Sequence, residues 1–305
     1  MIRSIERYAS KLRELDLEPT CPDVAQNLSE EELIGLLPEF DGWIIGDDPA
    51  TAEVFDAGVK GNLKAAVKWG VGVDNVDFAG AASAGLTVPN TPGMFGDEVA
   101  DIAVCYIIGL ARQTFQIDAG VKRGEWLKPV GTSLRNKNVA IVGFGDIGRA
   151  ITRRVLALGM NAFAYDPNPT GVDEFRESVK FLKWPESIAS IDFLVLCCAL
   201  NKETRHFVNR ELLSTTKRGL RVVNVARGAL IDEEALAEAL RDQRVHSAAL
   251  EVAEVEPMPL GSPLLSFPQC IFGSHNASNT QEAVDRTSDV AIELLASGLR
   301  ERRCV

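Results

Sequence analysis

Val139-Ala140-Ile141-Val142-Gly143-Phe144-Gly145-Asp146-Ile147-Gly148 is the stretch from which this chain is read. Four apolar residues without alternation describe a strand buried on both faces. Three glycines follow at G-x-G-x-x-G spacing, and Arg149 to Leu158 continues with helical periodicity. Gly143 permits a tight strand-to-helix turn, Gly145 lets a pyrophosphate approach the backbone, and Gly148 lets helix and strand pack closely. The new helix would turn its N–H groups and positive dipole end toward the diphosphate. Residues Gly143, Phe144, Gly145, Asp146, Ile147 and Gly148 are therefore the predicted dinucleotide loop. A second apolar run, Asn161 to Tyr165, ends in Asp166, 23 residues after Gly143. That is the usual place of the carboxylate that accepts from the adenosine ribose hydroxyls. Asp166 would repel a 2′-phosphate and Pro167-Asn168-Pro169 brings no arginine, so NAD is predicted over NADP. The plain alternative is a glycine turn followed by a solvated aspartate.

A chain of 305 residues accommodates two domains, and 46% hydrophobic with 25% charged residues is ordinary for a globular protein. The net charge of −11 disfavours nucleic acid or an anionic membrane as partner. Cys21, Cys105, Cys197, Cys198, Cys270 and Cys304 form no CxxC pair and read as reduced, small core residues. With only His206, His246 and His275, and none at ligand spacing with a cysteine, no metal is expected. Met1 to Leu17 is charged and amphipathic, and no apolar run reaches membrane-spanning length, which points to the cytoplasm.

Ile5, Leu12 and Leu15 predict a surface helix over 4–15, and Ser29 with Glu32 predicts a capping box before a helix burying Leu33, Leu36 and Leu37. Strands are expected at 42–46, 63–69 and 86–88, with a helix opening at Thr51 and another over 76–84. Between them, Gly70-Val71-Gly72-Val73-Asp74-Asn75 exposes backbone N–H groups at a strand end, a place to bind an anion. Residues 97–116 read as one long apolar helix, in the core and at a subunit interface, or in the core alone. Strands follow at 138–142, 161–165, 191–197, 220–225, 245–250 and 270–273, with a short helix opening at Pro185 and a last helix over 281–295. The fold class is thus α/β, two Rossmann- or flavodoxin-like parallel-sheet domains with a cleft between them.

Three polar residues stand at strand ends of the second domain. Arg227, after Val222-Val223-Asn224-Val225-Ala226, lies where ligands bind in such sheets, and its planar fork suits a carboxylate. The alternative is a surface salt bridge to Asp232 or Glu233. Glu256 belongs to an acidic run with Glu251 and Glu254 that could simply be solvated. His275 follows a short strand, and its strand end should join Arg227 and Glu256 at one site, whereas His206 and His246 read as structural. A carboxylate beside an imidazole favours its charged form and orients the ring. Together they would make a carboxylate anchor, an acid/base and its orienter.

At this point the sequence resembles the D-2-hydroxyacid dehydrogenase family, in the branch that includes D-3-phosphoglycerate dehydrogenase. The resemblance is carried by Gly70–Asn75, Asn90-Thr91-Pro92-Gly93, the glycine motif, Glu203-Thr204-Arg205-His206, Val225-Ala226-Arg227-Gly228, Glu256-Pro257 and the segment around His275. It implies that Arg227, Glu256 and His275 are catalytic and that Gly70, Val71 and Gly72 form the carboxylate-binding loop. It also puts Thr204 and Ala226 among the cofactor contacts, and Glu251 where an aspartate usually meets the nicotinamide amide. Residues 1–93 with 279–305 would be the substrate domain, and 94–278 the NAD domain, through which a homodimer would form. The function implied is hydride transfer between nicotinamide and C2 of a 2-oxo or D-2-hydroxy acid. The rival is a catalytically weak NAD-sensing module on the same fold.

Departures from the family pattern sharpen this. The sequence enters its first helix almost at Met1, where the pattern has a strand, and no regulatory domain follows. Asp146 stands in the glycine loop, Cys197 and Ala199 replace a frequent His and Pro, and Asn276-Ala277-Ser278 follows the histidine. Asp47-Asp48 would repel a substrate phosphate, unless both merely cap the helix at Thr51, and Lys68 is the one obvious basic candidate to bind it. A non-phosphorylated 2-oxo acid is therefore expected.

Overall fold

The computed structural model describes residues 2–24 and 27–303; Cys304 lies outside them. Two compact units divide the chain, one from the described residues up to Met94 with those from Thr280 onward, the other Phe95–Asn279.

In the first unit a 3-10 stretch Ile2–Tyr8 leads into α1 (Ala9–Glu14), where the 4–15 helix was expected to be α throughout. α2 (Glu30–Leu36) opens on the predicted capping box, Ser29 Oγ accepting from Glu32 N while the Glu32 carboxylate accepts from Ser29 N. β1 (Gly42–Ile45), α3 (Ala52–Lys60, capped by Thr51), β2 (Ala65–Lys68) and α4 (Phe78–Ser83) follow. β1 and β2 pair in parallel, and alternation splits their side chains. Trp43, Ile45 and Ala66 pack with Leu33, Val54, Phe55 and Ala81 of the three helices, while Ala65 and Val67 turn to the C-terminal helix. Leu86–Val88 is not a strand. Only Asn90 forms a bridge to Lys68, so the segment runs beside β2 without a ladder.

The second unit begins with α5 (Gly96–Arg112) and α6 (Thr114–Lys122), which correct the single helix expected over 97–116. Gln113 takes a left-handed conformation (φ 56°), and Phe115 folds back so closely on Gly109 that an added Cβ there would meet its ring at 2.6 Å. β3 (Asn138–Val142), α7 (Asp146–Ala157), β4 (Asn161–Tyr165), β5 (Val179–Phe181), β6 (Phe193–Leu196), α8 (Arg210–Thr215), β7 (Leu220–Asn224), α9 (Glu233–Arg241), β8 (Val245–Leu250) and β9 (Ile271–Phe272) follow. All pair in parallel in the order β5-β4-β3-β6-β7-β8-β9. Parallel strands covered on both faces read as near-continuous apolar runs, and β6, Phe193-Leu194-Val195-Leu196, is buried throughout. One face packs on Leu212, Leu213, Leu236 and Leu240 of α8 and α9; α5 and α7 pack on each other, α7 against β3 and β4 and α5 against β7 and β8. Each such fully buried Leu or Phe contributes about 1.5–3 kcal/mol.

Three further expectations are corrected. Pro185 opens a turn and the 3-10 stretch Ile188–Ser190, not a helix; β5 is an additional edge strand; and the last helix, α10, runs Gln281–Arg303. The five described cysteines are free thiols, but Cys21 and Cys105 are exposed rather than core residues. Burial pushes the Cys198 thiol up to about 12 and Cys270 to about 11, so neither is a ready nucleophile. No helix among the described residues is long and apolar enough to cross a membrane.

Candidate active site

The strand order reverses between β3 and β6, and the glycine loop sits at that switch. Each glycine has its own steric reason. Gly143 (φ 97°) would drive a Cβ to 2.7 Å from the Cys197 carbonyl and the Cys198 backbone, and a Cβ on Gly148 would collide with the Gly143 carbonyl. Gly145 faces open space, with nothing within 4 Å of an added Cβ. It is the N-cap of α7 and supplies no side-chain cap, so the helix end suits an anion. The Phe144 ring is fully buried, edge-on to Phe175 and Phe181 at 5.3 and 4.9 Å. Its N–H donates to Asp166 Oδ2 at 2.7 Å, while Asp166 Oδ1 accepts from Asn168 N at 2.8 Å. The carboxylate is thus fixed beside the glycine loop. The Asp146 carboxylate lies against Gly96 and 3.9 Å from Arg149, Ile147 is half-buried, and Arg149 is tied to Thr170 at 2.5 Å. An open Gly145 between two sterically obligatory glycines, beside a fixed carboxylate, fits a dinucleotide.

Farther along the same sheet, Arg227, Glu256 and His275 come together. Asn224, fully buried at the end of β7, shapes the first turn: its Oδ1 accepts from Ala226 N at 3.1 Å and its Nδ2 donates to Arg227 O at 2.8 Å. Sequence reading missed it, although a polar residue inside Val-Val-Asn-Val was a legible signal. Arg227 Nη1 donates to Ala226 O at 2.8 Å. Asp232, one of its supposed salt-bridge partners, caps α9, and Glu233 accepts from Glu254 N. His275 Nδ1 donates to Glu256 Oε2 at 2.8 Å, and Ala253 N donates to Glu256 Oε1 at 2.9 Å. Burial alone would raise the Glu256 carboxyl. The bonds from His275 and Ala253, with the charges of His275 and Arg227, outweigh it and hold the group below its ordinary range.

The acidic run is not a solvated face. Glu254 meets His206 Nε2, and Glu251 is 3% exposed, its Oε2 accepting from Tyr106 OH and its Oε1 from Asn276 N at 2.5 Å. Both Glu251 oxygens are therefore engaged within the protein. Thr204 Oγ1 donates to Ala199 O at 2.9 Å and accepts from Asn201 N, shaping the 199–204 turn. Partial desolvation and the Arg221 charge lower the His246 imidazole below its ordinary range, and it reads as structural.

In the first unit, Gly70 (φ 112°) donates its N–H to Thr91 Oγ1 at 2.7 Å. Val71 and Gly72 N–H groups donate to no group among the described residues. Lys68 is not an open basic residue: its side chain is 4% exposed, and Nζ donates to Gly46 O and lies 3.8 Å from Asp47. Asp48 does not cap α3 but accepts from Leu28 N at 2.9 Å and Gly46 N at 3.2 Å.

The second unit is thus a dinucleotide-binding domain with an arginine, a carboxylate and an imidazole at neighbouring strand ends. Residues 104–277 match the family model for the D-isomer specific 2-hydroxyacid dehydrogenase NAD binding domain. Hydroxypyruvate reductase of Thermotoga maritima is 35% identical over 91% of this chain and 90% of its own. D-3-phosphoglycerate dehydrogenase of Methanocaldococcus jannaschii is 34% identical over 91% of this chain but only 53% of its own length. The crystal structure of the TT0316 protein of Thermus thermophilus superposes with a TM-score of 0.87 at 33% identity, over 97% of this chain and 94% of that one. This chain belongs to the D-isomer-specific 2-hydroxyacid dehydrogenase family. It is an NAD-dependent oxidoreductase of that family.

Proposed function

We propose that the chain reduces a non-phosphorylated 2-oxo acid to its D-2-hydroxy acid, or runs the reverse, with Arg227, Glu256 and His275 as its chemical groups. The observation that carries this is the 2.8 Å His275–Glu256 pair within the field of Arg227. NAD, held by residues 143–148 with Asp166 and by the turns at Thr204 and Ala226, supplies the hydride chemistry. Arg227 binds the substrate carboxylate and polarises the C2 carbonyl. The Val71 and Gly72 N–H groups of the first unit are anion donors. With Nδ1 bound to Glu256, His275 moves the proton at Nε2, giving it to the forming alkoxide or taking it back in oxidation. Substrate charge is argued from Lys68, whose ammonium is buried against Gly46 and Asp47 and is not presented to a phosphate. Gly70 shapes that loop through Thr91 without binding substrate itself.

The test is NADH and NADPH oxidation with hydroxypyruvate, glyoxylate, larger 2-oxo acids and phosphohydroxypyruvate. NADH and an unphosphorylated acid should give the highest kcat/KM, and Asp166→Ala should narrow the gap between the two cofactors. Preference for phosphohydroxypyruvate, abolished by Lys68→Ala, would reverse the reading of substrate charge. NADH binding with no turnover on any acid would leave the NAD-sensing module instead.

A homodimer through the second unit belongs to the same reading. It is supported by exposed apolar side chains there, among them Ile108, Phe115, Val121, Trp126 (78% exposed) and Val130 (94%). Light scattering should give twice the chain mass, and Trp126→Glu should shift it toward one; a single-chain mass for the unaltered protein removes the dimer.

A further inference from the structure

Glu251 is the last buried charge at the end of β8, and its surroundings give it a different task from its neighbours in the acidic run. Its backbone carbonyl accepts from His275 N at 2.8 Å, and its Oε1 accepts from Asn276 N at 2.5 Å. One residue therefore holds the N–H groups of the histidine and of the residue after it. His275 is in a left-handed conformation (φ 55°), uncommon for a residue with a side chain. The other carboxylate oxygen accepts from Tyr106 OH, so the loop is tied through Glu251 to the middle of α5. Burial, the bond to Glu251 and the Glu251 charge all push the Tyr106 phenol far above its ordinary range, so it remains a donor. Gly273 completes the fit: an added Cβ would collide with Glu251 Oε2 and fall 2.6 Å from the Tyr106 hydroxyl.

We infer that Tyr106 and Glu251 form a positioning pair that clamps the His275 loop to α5. The inference rests on the proposed acid/base role of His275. Losing the clamp frees the backbone on both sides of the His275 Cα, and the imidazole leaves its place against Glu256. Displacement of about 1 Å at a reacting group can cost on the order of 10²-fold.

The test compares Tyr106→Phe, Glu251→Gln and the double variant, with kcat, KM, NADH affinity by fluorescence titration, and the His275 imidazole titration by NMR on cofactor-free protein. Tyr106→Phe should lower kcat about tenfold or more, leave NADH affinity within about twofold, and lower the pH at which His275 titrates. Glu251→Gln should also lower kcat, because a neutral amide holds Asn276 N less strongly than a carboxylate and turns the Tyr106 hydroxyl from donor to acceptor. In the double variant the two losses should not add, since both variants alter the one Tyr106–Glu251 contact. A merely structural pair would not move the imidazole titration while leaving NADH affinity unchanged. Unchanged kcat and unchanged His275 titration in Tyr106→Phe would overturn the inference. So would a tenfold weaker NADH affinity in Glu251→Gln with His275 unmoved. If His275→Ala keeps its turnover, the acid/base reading fails, while the imidazole titration in Tyr106→Phe still decides whether the clamp exists.

Discussion

His275→Ala lowers kcat with a 2-oxo acid by about 10²–10⁴-fold, the usual worth of general acid–base catalysis, and leaves NADH affinity nearly unchanged. The separation follows from position: the histidine sits after β9 and the glycine loop after β3, at different strands of one sheet. Glu256→Gln probes the same pair through pH. Reduction needs the imidazolium, so activity falls as pH rises through the imidazole titration. The carboxylate beside Nδ1 stabilises that charged form, and an amide does not. The falling limb of the pH–rate profile therefore moves to lower pH in Glu256→Gln. Rapid-mixing measurement of the hydride step across pH reads both effects, and full turnover in His275→Ala would take the histidine out of the mechanism.

Arg227→Gln is the second large effect, a fall of about 10²–10³-fold in kcat/KM. Truncating one partner of a desolvated, hydrogen-bonded charge pair costs about 2–5 kcal/mol, and each 1.36 kcal/mol is tenfold. Arg227→Lys should recover only part of it, because an ammonium cannot present the planar fork that matches a carboxylate. If Arg227 both anchors the carboxylate and polarises the carbonyl, KM rises and kcat falls together. A change in KM alone would leave it as an anchor only. NADH affinity should stay within a few-fold, since Arg227 lies beyond the Asn224 turn and away from the glycine loop.

How far the chain could be read depended on burial. Residues 138–142 and 161–165 were legible as strands because a parallel strand covered on both faces is a near-continuous apolar run. Val179-Lys180-Phe181 was not, since an edge strand of three residues with Lys180 stacked over Phe163 carries no such run. The bend at Gln113 has neither glycine nor proline to announce it; it is a tertiary matter of Phe115 meeting Gly109. The candidate site divides in the same way. Arg227 could be placed from its strand alone, but Glu256 and Glu251 stand in one acidic run, and nothing local says that one faces His275 while the other is buried under Tyr106. Tyr106 itself was hidden in a helical stripe, where an aromatic residue reads as core. Lys68 is the converse case: a cation beside a ligand loop invites a binding role, and only the fold shows that its ammonium donates to the Gly46 carbonyl.

The division of the chain has a consequence for how the protein is made. Ala65 and Val67 of β2 are covered by Ala291, Leu295 and Leu299 of α10. Those residues leave the ribosome only after the whole second unit has been synthesised. Until then the first sheet has a finished face, built from α2, α3 and α4, and one still lacking α10. The second unit waits for nothing, because every strand of its sheet and every helix packed on it lies between Phe95 and Asn279. Emergence order and completion order are therefore inverted: the half of the protein that begins first is the half that closes last.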